Sequence, residues 1–130
     1  MMLNNIGVDE LISMILADER DFCGCRIEGS ISSHKDFDEL QEYLKKNLSI
    51  ETPTPAIYPI LFKNSELIRV EMKGIHLPFL YAANADFTGA NLEGAYLHKA
   101  YLFGADFTNA NLKDACLEGV SLNGVKGLYH

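Results

Sequence analysis

At 130 residues with a formal net charge of −7, the chain supports one domain large enough to bury a continuous core, and its acidity argues against a nucleic-acid ligand, whose phosphates need a basic stripe. Three cysteines do not make a disulfide framework, and Cys23 and Cys25 are too close for an ordinary bridge. No apolar run approaches the roughly 20 residues of a membrane helix, and Asp9, Glu10, Asp18 and Glu19 replace the basic start of a secretion signal, so a soluble cytoplasmic protein is expected.

Residues 1–19 contain one amphipathic pattern. Val8, Leu11, Ile12, Ile15 and Leu16 recur at helical spacing behind Asp9 and Glu10, which predicts a helix over 8–18. Residues 20–29 change period. Arg20-Asp21-Phe22-Cys23-Gly24 and Cys25-Arg26-Ile27-Glu28-Gly29 scan as two five-residue units, with Phe22, Ile27 and Cys25 inward and Arg20 breaking one small inward place. Residues 30–54 return to helical spacing. Phe37, Leu40, Leu44 and Leu48 share a face opposite Glu39, Glu42, Lys45 and Lys46, and Ser33 is the predicted N-cap. Pro53 and Pro55 then hold an extended return.

Residues 85–124 are the most regular part of the chain. Eight successive units run from Ala85-Asp86-Phe87-Thr88-Gly89 to Val120-Ser121-Leu122-Asn123-Gly124, each with Ala or Val followed two places later by Leu or Phe. Two apolar places separated by one variable residue alternate as a short strand does, and the remaining Gly, Asn, Asp and Lys suit a corner. Residues 85–104 match the chain at 11 of 20 places when shifted by twenty, against 8 at five and at fifteen. Four units therefore make one turn, and residues twenty apart stack at about 4.8 Å. An internal repeat this strict names a repeat architecture.

The Ala-Asp/Asn-Leu/Phe-x-x units of 85–124 resemble the pentapeptide-repeat family. That resemblance implies an all-β solenoid, a right-handed quadrilateral β-helix of about 3–4 coils, with the first helix as N-terminal cap over 1–19 and the second as an inserted helix. The helix followed by Glu19-Arg20-Asp21-Phe22 is similar to the opening of cyanobacterial members. Counting back from Phe87 extends the register through divergent repeats over 55–84. Large inward residues are then Ala82, Leu77, Met72, Leu67, Phe62 and Ile57, and small ones Leu80, Ile75, Val70, Ser65, Ile60 and Pro55. The predicted core columns are Phe22, Leu67, Phe87, Phe107; Ile27, Met72, Leu92, Leu112; Ile57, Leu77, Leu97, Leu117; and Phe62, Ala82, Leu102, Leu122. Residues 125–130 end the repeats, because Gly127 stands where a large apolar residue belongs. The open strand edge beside Leu128 and Tyr129 predicts a homodimer through the C-terminal end.

The outward positions divide by chemistry. Asp86 under Asp106, Asn91 under Asn111, and the alternating Lys73, Glu93 and Lys113 make two ordinary polar sides. On the other two, His76 and Tyr96 share a column with Cys116 and His98 shares one with Glu118; with Tyr81, Tyr101 and Phe103 beside them, the rings form an aromatic cluster of the kind that anchors protein partners. The face of the inserted helix over 30–54 could cover this cluster. No catalytic, cofactor-binding or metal-ligand spacing is present. A non-enzymatic protein–protein interaction module, with a protein partner and no cofactor, is the function expected. The alternative, implied by the resemblance, is an acidic DNA mimic acting on DNA gyrase.

Overall fold

The computed structural model describes residues 4–48 and 59–128. Two short strands and two helices open the chain: β1 (Asn4–Gly7), α1 (Val8–Leu16), β2 (Cys25–Glu28) and α2 (Phe37–Asn47). From Ile60 onward the chain repeats a strand step and a turn every five residues. Parallel bridges join residues twenty apart, including Leu61 to Tyr81 to Tyr101 to Ser121, Glu66 to Asp86 to Asp106 to Lys126, Glu71 to Asn91 to Asn111, and His76 to Tyr96 to Cys116. The twenty-residue period read from the letters is thus the stagger of the backbone pairing, with four bridged sides to a turn.

Two local devices make each unit. The Asp or Asn after the small inward residue turns its side chain onto the N–H two residues later, as in Asp86 to Thr88 and Asp106 to Thr108 at 2.9 Å. The last residue of a unit then takes positive φ, near 60° at Asn64, Asn84, Asn109 and Asp114. Asn, Asp and Gly tolerate that conformation, which explains the composition of the corners. The inward places from Ile60 to Phe107 are all buried. Each buried Leu or Phe contributes roughly 1.5–3 kcal/mol before entropy is subtracted.

The first turn differs from the sequence expectation. Asp21 pairs with Leu61 and Arg26 with Glu66, a shift of forty, and Ser30 pairs with Glu71. Phe22 therefore lies beside Phe62, at 5.6 Å between ring centroids, instead of in the Leu67 column, and Ile27 and Ile31 shift likewise onto the Leu67 and Met72 columns. The missed third side begins at Ser30, where Ile31 follows Ile27 by four residues and the count of five fails. Ile57 and Pro55 lie outside the described residues, as does the end of the expected 30–54 insertion.

The fourth side of that turn is filled by a side chain. The Gln41 amide of α2 donates to the Gly74 carbonyl at 2.8 Å and accepts from the His76 N–H at 2.9 Å, occupying backbone groups that pair with no lower rung among the described residues. Leu40 and Leu44 of α2 and Leu11, Ile12 and Ile15 of α1 join the core. Arg20, which breaks the small inward pattern, lays its guanidinium 5.1 Å from the Tyr43 ring centre. Tyr43 also donates to Asp18, and His34 pairs with Asp9, so α1 and α2 are tied to each other. The helix α1 stops at Leu16, short of the expected 18, where Asp18 turns at φ 70°. The helix α2 begins at Phe37, after Asp36, and Ser33 bonds to Ser30 instead of capping it. β1 pairs in parallel with β2, Ile6 against Ile27; its single apolar residue gave no periodic signal.

At the other end the core opens. Leu112, Leu117 and Leu128 are half-buried and Leu122 is exposed, lining a cavity of ≈ 470 Å³. Pairing continues to Lys126 and stops at Gly127, where a side chain would press into the backbone of Thr108.

Candidate functional site: an aromatic corner

Outward side chains in one column of a parallel stack sit one strand spacing apart, which suits ring on ring. His76 and Tyr96 stack at 4.8 Å with planes 1° apart, and Tyr81 and Tyr101 at 4.9 Å and 4°. Tyr96 continues to His98 at 5.8 Å, and Tyr101 to Phe103 at 6.4 Å. The six predicted residues thus form two ring groups on neighbouring sides of the stack, so the surface wraps a corner instead of lying on one flat side.

The helix α2 reaches this surface at its lower edge. Burial depresses the His76 imidazole below its usual range, nearby Lys45 adds to the effect, and a bond with the Leu48 backbone opposes it. Higher up the rings are open: Tyr101 is 39% exposed and Phe103 45%.

Sequence reasoning missed Phe79. Phe79 sets its ring edge-on to His98, 6.4 Å away and 87° between planes, and takes φ 63° as the last residue of its unit. A bulky residue in that region is a backbone outlier. The count placed Glu118 in the column of His98 and Cys116 in that of Tyr96, but did not join the three as one group. A ring nitrogen of His98, the Cys116 sulfur and a Glu118 carboxylate oxygen lie within 4.8 Å of one another. Burial pushes both the Cys23 and the Cys25 thiol up, and Cys25 fills a small inward place.

The polar sides carry ordinary pairs. Lys73 meets Glu93 at 3.6 Å, and Arg26 meets Glu66 at 2.8 Å. The acidic column is closed by cations at both ends, running Arg26, Glu66, Asp86, Asp106, Lys126.

Residues 83–124 match the family model for pentapeptide repeats in eight copies, so this stretch of the chain is an array of pentapeptide repeats. No curated protein matches it. Among solved structures it is similar to QnrB1, a plasmid-mediated fluoroquinolone resistance protein, at 25% identity over 50% of this chain and 39% of that one, with a TM-score of 0.36. It is also similar to Rfr23, a pentapeptide repeat protein of the cyanobacterium Cyanothece 51142, at 18% identity over 91% and 92%, TM-score 0.31. A third is a pentapeptide repeat protein from the Arabidopsis thaliana thylakoid lumen, at 23% identity over 52% and 54%, TM-score 0.27. The chain spans well under two thirds of the first and third of these proteins, and at such TM-scores the likeness carries no argument. No helix among the described residues is long and apolar enough to cross a membrane.

Proposed function

We propose that this pentapeptide-repeat chain is a non-enzymatic protein–protein interaction module of the cytoplasm. It is built as a right-handed quadrilateral β-helix with α1 and α2 over its N-terminal end, and its aromatic corner is the docking surface. The observation that carries this reading is the exposure of Tyr101 and Phe103 above stacked rings whose geometry is already fixed, so docking costs little side-chain ordering. Free thiols at Cys23, Cys25 and Cys116 suit a reducing compartment.

The test compares the full chain with the double variant Tyr101→Ser, Phe103→Ser as bait in extracts of the source organism. A protein retained at equal loading by the first and lost by the second supports the reading. An identical set of bound proteins for both baits overturns it.

The gyrase reading is the weaker of the two. A DNA mimic needs an unbroken acidic stripe, whereas Arg26 and Lys126 close the Glu66, Asp86 and Asp106 column; unchanged supercoiling by gyrase in the presence of the chain is the expected outcome. The proposal also includes a homodimer through the open end, supported by the exposure of Leu122. Sedimentation velocity checks it: association that rises with concentration and disappears in Leu122→Glu is expected, and a monomer at all concentrations would count against it.

A further inference from the structure

A repeat stack brings three outward side chains together in one way: two from one strand, two residues apart, and a third from the turn below. At the corner after Leu97 this placement gathers three metal-ligand types. Cys116 is bridged to Tyr96, and the Glu118 carbonyl accepts from the Lys99 N–H at 2.8 Å, which sets Glu118 over His98. We infer that His98, Cys116 and Glu118 form a binding site for a divalent first-row transition metal ion, zinc foremost. This goes beyond the docking proposal and does not rest on it.

The donor set decides the class of ion. Imidazole with thiolate favours zinc and its neighbours over magnesium and calcium, which take oxygen ligands. Three protein ligands with water in the fourth place is an established zinc arrangement. Zinc bonds of roughly 2.0–2.3 Å in a tetrahedron hold ligand atoms about 3.3–3.8 Å apart, so atoms already within 4.8 Å close on an ion by small side-chain rotations. Glu118 is exposed and Cys116 half-buried, which leaves both room to turn and gives the ion a way in.

The third ligand is the fixed one. His98 is stacked on Tyr96 and touched edge-on by Phe79, so its ring plane is set before an ion arrives. Ring contacts that orient a ligand histidine act as outer-shell partners do, whose loss typically weakens metal binding by roughly 10–100-fold.

The experiment is titration of the reduced full chain with cobalt(II), followed by competition with zinc(II). The expected result is a single ion per chain with a thiolate-to-cobalt charge-transfer band in the near ultraviolet, which zinc abolishes. The band should be lost in Cys116→Ser and kept in Cys23→Ser, and His98→Ala and Glu118→Gln should each weaken binding by more than the roughly 10–100-fold of an outer-shell loss. Cys116 and Glu118 face outward on the last full turn, so unaltered melting of their variants in chelator separates lost binding from lost folding. No band in the unaltered chain, a band that survives Cys116→Ser, or one that vanishes in Cys23→Ser would overturn the site.

Discussion

Ser65 occupies a small inward place, in line with Ala85 and Ala105, and is the one buried polar residue among those described. Its hydroxyl donates to the Phe22 carbonyl at 2.7 Å and accepts from the Cys25 N–H at 3.3 Å. The bond ties together turns that are forty residues apart in sequence. Ser65→Ala fits the space but removes these bonds, and a loss of about 1 kcal/mol is expected as a lower urea midpoint with an unchanged slope. An equal or higher midpoint would mean that the hydroxyl adds nothing. At this scale the sequence was highly legible: every inward place from Ile60 to Leu122 was assigned by counting in fives, because each carries an apolar or small residue. The same count set Glu118 in the column of His98 and Cys116 in that of Tyr96, as the Tyr96–Cys116 bridge has it; that the three form one group was not read, since ligands eighteen and twenty residues apart match no local metal spacing.

Among the elements, α2 shows how a helix can substitute for a strand. Its Gln41 amide offers a donor and an acceptor side by side, as a strand's peptide groups do, and uses them on Gly74 and His76. Gln41→Ala leaves the His76 N–H without this partner, and faster hydrogen exchange at that amide, with a stability loss of about 1–2 kcal/mol, is the expected outcome. Protection equal to that of the unaltered chain would show that water serves as well. The burial of His76 predicts pH sensitivity. His76 has a folded pKa below its ordinary 6.5, so the unfolded chain binds the proton more readily and the contribution of His76 is present above that value and lost as pH falls through it. Melting of the unaltered chain should therefore drop more steeply than that of His76→Gln below about pH 6.5; parallel curves would refute this. The existence of both helices was legible from their apolar spacing. The junction with the stack was not, because Ile31 follows Ile27 by four residues and hides the third side of the first turn.

For the whole molecule, the two ends are unlike. Helices and β1 lie against the first turn, while Leu122 is exposed on the last. Between them the interior is nearly interchangeable from unit to unit and the exterior is not. The chain thus has a reading frame of its own. Excising one unit, residues 105–109, leaves Ala, Val, Leu and Phe inward at every place, yet swings everything after it by a quarter turn. Cys116 would then stand over Asn91 instead of Tyr96, and Glu118 over Glu93. The shortened chain should remain folded by circular dichroism and bind no cobalt, whereas an unfolded product would show that the units are less equivalent than their letters. A lesion of five residues can in this way erase a surface while sparing the core that supports it.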